Sequence, residues 1–169
     1  METQEETSAE IRVHLLEKIV EWKERLPPDG TFMGTYGAGI ALSAVTLVGV
    51  LIKRAVDVLI PDAEPSEKPT IGFYVSTIER YGRDHRMTCV LPPRHLVTSP
   101  EVNLLKRLSR TRASLAHQEG EPAFDVSTIG RLGPSEVRDF LDLVGAVARL
   151  AIFDELICRE AQATGLKAT

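Results

Sequence analysis

From Thr31 to Ile52 the chain carries no charged residue, and this stretch constrains the fold more than any other. Its dense apolar part, residues 38–52, runs without a break signal into residues 53–60, where charges reappear at helical spacing. A membrane span needs about 20 predominantly apolar residues, but the first part of this stretch is rich in glycine, threonine and tyrosine. We therefore predict a long helix over roughly residues 36–60, whose first half lies in the core. A membrane-associated helix over residues 31–52 is the less favoured alternative.

The composition favours helices packed around one core. At 169 residues the chain is long enough for one domain. Aromatic residues make up 5% of it, whereas β-sandwiches and β-barrels require runs of aromatic and β-branched residues. We predict a single helical domain over residues 1–169, with an acidic N-terminal tail at residues 1–7 and a flexible C-terminus at residues 164–169.

The first helix has a clear beginning and a clear end. Thr7-Ser8-Ala9-Glu10 is a capping-box pattern, and apolar residues then recur at helical spacing up to Leu26. Pro27-Pro28 ends the helix because proline cannot continue it. Residues 71–81 also match a helical face, although residues 73–75 are strand-like too.

Two further helices are predicted in the second half of the chain. Ser99-Pro100-Glu101 indicates a helix start with Ser99 as the N-cap, and the apolar spacing continues to about residue 117. Pro134 opens the last helix, whose broad apolar face predicts one segment to about residue 163. The predicted fold is therefore an all-α antiparallel bundle of four to five helices.

The charge of the chain is acidic overall but uneven. A net charge of -4 and a pI of about 5.6 exclude a protein that coats nucleic acid by bulk charge, and DNA binding is not expected. Between Glu79 and Arg112, however, eight lysines and arginines stand against three acidic residues. We therefore predict a local basic face on an acidic molecule.

The expected compartment is the cytoplasm. The N-terminus is acidic where a secretory signal would be basic. Cys89 and Cys158 lie in apolar surroundings, which predicts two buried free thiols in a reducing compartment. No histidine, cysteine, aspartate or glutamate cluster has metal-ligand spacing and no cofactor motif occurs, so neither a metal nor a cofactor is expected.

The segment from Ser109 to Gly120 combines a candidate acid–base residue with candidate anion binders. A histidine such as His117 can transfer a proton near neutral pH, and an arginine such as Arg112 can hold a phosphate and stabilise developing charge. Residues five apart on a regular helix lie about 140° apart around its axis. The two side chains therefore converge on one ligand only if the helix ends near His117, or if a second copy of the chain faces the first.

These residues resemble the motif of the HEPN domain, a helical family common in toxin–antitoxin, abortive-infection and RNA-processing systems. The family motif begins with an arginine, here Arg112, and ends with a histidine at a helix end, here His117. Leu115-Ala116 before the histidine fits as well, whereas the polar residue that usually follows the arginine is replaced by Ala113. The abortive-infection members are the most similar.

The resemblance implies a homodimer in which two motifs face each other across a cleft. It implies a metal-independent endoribonuclease that acts in stress response or phage defence, with Arg112 and His117 as the catalytic residues. The RNA phosphates would be bound by Arg110, Ser114 and Arg107. The implied partners are a second copy of the chain, RNA, and an antitoxin or other partner protein, and a membrane is not an expected partner.

Plainer interpretations of the same residues stay open. His117 can simply cap the C-terminus of its helix, where the macrodipole favours a histidine cation, and the arginines can form a solvated face. Arg80 and His85 repeat the same spacing outside a clear helical context. A non-catalytic dimerisation or interaction module of the same fold is therefore the alternative function, and Ala113 favours it.

Overall fold

The structure, a computed structural model, describes residues 6–64, 67, 70–82, 97–116 and 133–165. Side chains are described for all of these except residues 82 and 113–116. This part of the chain contains six helices and no strand: α1 (Ser8–Glu24), α2 (Gly34–Leu59), α3 (Ile71–Gly82), α4 (Ser99–Ala116), α5 (Pro134–Ala148) and α6 (Ala151–Ala163). The predicted all-α class is confirmed.

Helix α2 is the centre of the bundle. It packs against α1, α3, α5 and α6, and its 26 residues span about 39 Å. Fully buried residues, among them Ala44, Val48, Ile52 and Ala55, follow one side of the helix from turn to turn. The long helix predicted over roughly residues 36–60 is therefore present, and its apolar side lies in the core.

By length and composition alone, helix α2 could also cross a membrane. Half of its most apolar window is buried inside the fold. The core helix of a globular protein passes the same test, and four neighbouring helices cover the apolar side of α2. The opposite side of its first half, which includes Leu42, is exposed and uncharged.

Helix α1 runs antiparallel to the pair formed by α5 and α6. Near its C-terminus Lys23 pairs with Asp142 of α5 at 2.5 Å. Nearer its N-terminus Arg12 pairs with Asp154 of α6 at 2.5 Å. Exposed ion pairs add little stability, so their main use here is to show the alignment of the helices.

A polar contact fixes the first turn of α1 against α6. The backbone N–H and the hydroxyl of Ser8 both donate to the carboxylate of Glu160, at 3.0 and 2.6 Å. Ser8 is completely buried, and a buried polar group is tolerated when it is hydrogen-bonded. The contact also places a carboxylate at the N-terminus of a helix, where negative charge is favoured.

The last helical segment is not continuous, contrary to the sequence-based prediction. The chain leaves helical geometry at Leu150, whose φ and ψ are -63° and 144°. The physical reason is a shift in the apolar pattern, because in an uninterrupted helix the buried positions before and after the break would point roughly 150° apart. The break returns Phe153 and Leu156 to the core, where both are fully buried. Because the break divides the last predicted helix into two, the described residues contain six helices, whereas four to five were predicted.

The capping box predicted for α1 is confirmed. The N–H of Glu10 donates to the Thr7 hydroxyl at 3.2 Å, and the N–H of Thr7 donates to the Glu10 carboxylate at 2.7 Å. This second hydrogen bond is the main reason why the pKa of Glu10 is lowered from its ordinary value of 4.5. The pKa of Glu10 is lower in the folded state than in the unfolded state. The stability that this carboxylate contributes is therefore present above pH 4.5 and is lost as the pH falls through the folded-state pKa.

The N-cap of α4 is one residue earlier than predicted. The sequence indicates Ser99, but the N–H of Thr98 donates to the Glu101 carboxylate at 2.6 Å, and the Thr98 hydroxyl accepts from the N–H of Glu101 at 3.5 Å. Ser99 is the first residue of the helix. The reason is reach, because Thr98 stands three residues before Glu101, the separation at which a glutamate returns to the N-cap backbone.

Cys158 is a free thiol, but it is exposed and not buried as predicted. It lies two residues after the buried Leu156, which places it about 200° around the axis of α6 on the solvent side. Its sulfur accepts a hydrogen bond from the Gln162 amide at 3.7 Å. Cys89 lies outside the described residues.

We expect Val48→Ala to lower the free energy of unfolding by about 2 kcal/mol, because it removes the equivalent of two methylene groups from the core. Val48 is completely buried, whereas Val58 on the same helix is 37% exposed. Val58→Ala is therefore the matched control and should change the stability by less than about 0.5 kcal/mol. Urea unfolding followed by circular dichroism measures both. Equal losses would mean that α2 does not bury the side assigned to the core.

The two candidate caps of α4 can be separated by alanine substitution. Thr98→Ala should cost about 1 kcal/mol of stability, because it removes the side-chain oxygen that accepts from the helix N-terminus. Ser99→Ala should change the stability by less than about 0.5 kcal/mol, because Ser99 is the first residue of the helix and Thr98 makes the capping hydrogen bonds. Thermal unfolding measures the stability of both variants. A larger loss of stability for Ser99→Ala than for Thr98→Ala would mean that Ser99 is the N-cap.

Candidate phosphate-binding surface

Helix α4 is held in place by its apolar side and by an ion pair to α3. Its buried side chains are Val102, Leu105 and Leu108. Helix α3 runs antiparallel to it: Gly72, near the start of α3, lies beside Ser109, and Glu79, near its end, pairs with Lys106 at 2.7 Å. The direction in which each arginine of α4 points is therefore fixed by the register of a packed helix.

Arg107 and Arg110 project from the outer side of α4. They are three residues apart, so they lie on the same side of the helix, and both are exposed. Lys106 is neutralised by Glu79, but within the described residues no ion pair engages either arginine. Their exposure makes these two guanidinium groups candidates for binding phosphate.

Arg112 lies on a different side of α4 from Arg110. The two residues are about 200° apart around the helix axis. Arg112 follows Leu105 by seven residues and Leu108 by four, so it continues the buried stripe of the helix, and it is half-buried. The structure therefore brings Arg107 and Arg110 together and separates them from Arg112.

The remaining predicted site residues lie at or beyond the end of α4. Ser114 belongs to the helix, but its side chain is outside the described part of the chain. His117 and His85 lie outside the described residues, so the convergence of Arg112 and His117 on one ligand stays a prediction. Helix α4 is described as far as Ala116, so a helix end near His117, the condition under which the two side chains converge, stays a prediction.

Among the described residues, displaced pKa values occur in α1 and α2. Besides Glu10, the pKa of Glu21 is lowered, chiefly by a hydrogen bond from Lys18, and the pKa of Lys53 is raised, chiefly by its hydrogen bond to Asp57. These groups belong to α1 and α2. In the part of the chain that the structure describes, no three His, Cys, Asp or Glu side chains are grouped so that they could hold a metal ion.

Sequence reasoning missed an open cavity of about 140 Å³ on α3. Its lining residues are Glu64, Phe73, Ser76, Thr77, Arg80 and Tyr81. The Arg80 guanidinium lies 5.4 Å from the centre of the Tyr81 ring, within the range of a cation–π contact. The helical spacing of Phe73, Thr77 and Arg80 is the signal that could have revealed this surface. The cavity is smaller than ordinary ligand sites of about 300–1,000 Å³, so it accommodates only a small group.

Comparisons of the chain with known protein families, with curated proteins and with solved structures find no match. The resemblance to HEPN domains therefore rests on the motif residues and stays a prediction.

Proposed function

We propose that this protein is a HEPN-like, metal-independent endoribonuclease that acts as a homodimer in the cytoplasm, in stress response or phage defence. The observation that carries the proposal is the position of Arg112 on α4. The described part of this helix reaches Ala116, and in the sequence the next residue is His117. Arg112 precedes it by little more than one helical turn and is half-buried, as suits a residue that holds a phosphate in a cleft.

In the proposed reaction two copies of His117 have opposite roles. His117 of one copy accepts the proton of an RNA 2′-hydroxyl, whose oxygen then attacks the adjacent phosphorus. The bond from phosphorus to the 5′-oxygen breaks, and the protonated His117 of the second copy donates its proton to that oxygen. The products are a 2′,3′-cyclic phosphate and a 5′-hydroxyl. Arg112 stabilises the charge that develops on the non-bridging phosphate oxygens.

Arg107 and Arg110 have a separate role in this proposal. They point away from the side that carries Arg112, so they bind flanking phosphates of the strand and do not reach the reacting one. Such contacts are independent of base sequence and depend on salt. They give a chain with a net charge of -4 a local surface that attracts RNA.

The central test is RNA cleavage in the presence of EDTA. His117→Ala should lower kcat at least about 100-fold, because it removes the proton-transfer group. His85→Ala is the matched control, because His85 follows Arg80 by five positions in the sequence, as His117 follows Arg112. This variant should cleave RNA like the wild type. Wild-type protein that leaves RNA intact, or a His117→Ala variant with unchanged activity, would contradict the proposal, as would products without a 2′,3′-cyclic phosphate.

The arginines should separate in their kinetic effects. Arg112→Ala should lower kcat about 100-fold, because its interaction strengthens as charge develops in the transition state. The double variant Arg107→Ala/Arg110→Ala should raise KM with little change in kcat, and should reduce the slope of log affinity against log salt by about 1.4, as expected for two lost phosphate contacts on a single strand. A fall in kcat for the double variant with unchanged RNA affinity would contradict this division of roles.

The second candidate is a non-catalytic dimerisation or interaction module of the same fold. Ala113 favours it, because this residue replaces the polar residue that HEPN motifs carry after the arginine. Under this alternative the protein binds a second copy or a partner protein without degrading RNA, and His117→Ala leaves that binding unchanged. A membrane-associated protein is the least supported candidate, since half of the apolar window of α2 is buried within the fold.

A further inference from the structure

The outer face of α2 is an exposed, uncharged surface. It consists of Thr35, Tyr36, Gly39, Leu42, Ser43 and Thr46, which are all exposed. These positions lie within about 60° of Gly39 around the helix axis, whereas the opposite side of α2 is buried. No charge occurs between Thr31 and Ile52. The Thr46 hydroxyl donates to the Leu42 carbonyl at 2.8 Å, so this polar group already has a partner within the helix.

Large and small residues alternate on the outer face. Tyr36 is 52% exposed and Leu42 40%, while between them a Cβ placed on Gly39 would meet no atom within 4 Å. Phe32, which is 79% exposed, extends the apolar surface just before the helix. Grouped exposed apolar side chains without intervening charges mark an interaction surface.

We propose that the outer face of α2 binds the same face of a second copy of the chain, in an antiparallel pair with its two-fold axis at Gly39. The outer face has the same spacing when read from either end, because four of its residues stand three and four positions before and after Gly39. Thr46, seven positions after Gly39, corresponds to Phe32, seven positions before it. Around this axis Tyr36 of one copy faces Ser43 of the second copy, and Leu42 faces Thr35. Each large side chain therefore meets a small one, and Gly39 allows the two backbones to approach closely.

Charge and area favour a second copy as the occupant. Two identical charged faces would repel each other, but this face carries no charge, and the antiparallel arrangement opposes the two helix dipoles. A buried aromatic side chain covers about 150–250 Å², so Phe32 and Tyr36 at their exposures offer roughly 250 Å² per copy. With Leu42 and the small residues, the pair buries roughly 1,000 Å² in total, the lower limit for a specific interface. We therefore expect a dissociation constant on the order of micromolar.

The inference names a surface for self-association, and the proposed ribonuclease also requires two copies, so a strictly monomeric chain would contradict both. The two are otherwise separable: a dimer that does not cleave RNA contradicts the ribonuclease alone, and a dimer that persists when the outer face is changed contradicts this surface alone.

Sedimentation velocity tests the proposal by measuring the mass of the 169-residue chain in solution across a range of concentrations. The wild type should pass from monomer to dimer. Leu42→Arg should weaken association at least about tenfold, because it places an unpaired charge in the interface. Val58→Arg is the matched control, since Val58 is exposed on the same helix outside the outer face, and it should dimerise like the wild type. Ser43→Arg, at an exposed position, provides the same test if Leu42→Arg disturbs the fold.

The register has its own test. Gly39→Cys, in a background with Cys89→Ser and Cys158→Ser, should form a disulfide-linked dimer on mild oxidation, whereas Val58→Cys in that background should not. A wild type that stays monomeric at all concentrations would overturn the proposal. So would a dimer that Leu42→Arg and Ser43→Arg leave intact, or equal crosslinking at both cysteine positions. Binding of a monomeric wild type to phosphatidylcholine vesicles would assign the outer face to a membrane and overturn it as well.

Discussion

The burial of the apolar side of α2 is the constraint on which the rest of the structure depends. A helix of this length with a continuous apolar stripe needs neighbours along its whole length, and α1, α3, α5 and α6 supply them. Helix α4 joins the bundle through α3 and α5, so it lies in the outer layer. The arrangement leaves Arg107 and Arg110 of α4 exposed at the periphery, while packing against α3 and α5 keeps the register of the helix fixed.

Much of the fold follows from local patterns in the sequence, and two of the wrong predictions show what those patterns leave open. The break at Leu150 is marked by neither glycine nor proline, and it becomes predictable only when the angular phase of the apolar residues is followed through the segment. The N-cap of α4 is ambiguous in the sequence because Thr98 and Ser99 are both residue types that cap helices. Glu101 selects Thr98, because its side chain returns to the backbone three residues earlier. In both cases packing or side-chain geometry selects among options that propensity alone leaves equal.

The candidate site is less accessible to sequence reasoning than the fold. Arg107, Arg110 and Arg112 read as one cluster along the chain, yet on a helix they belong to two sides, and only the buried stripe of α4 shows which side faces inward. That distinction places Arg112 on the inward-facing side of α4 and the other two on its outer surface. The cavity on α3 was missed because its residues carry no motif and are brought together by helical spacing and by Glu64 from the preceding loop.

The contact between Ser8 and Glu160 has a consequence for how this chain can be handled. It joins positions separated by 152 residues, so the two described ends of the bundle are neighbours in space. A protein attached just before α1 or just after α6 would therefore lie at the same end of the bundle, and a linker from the end of α6 to the start of α1 would close the chain. Circular permutation with new ends between helices should therefore preserve the packing around α2.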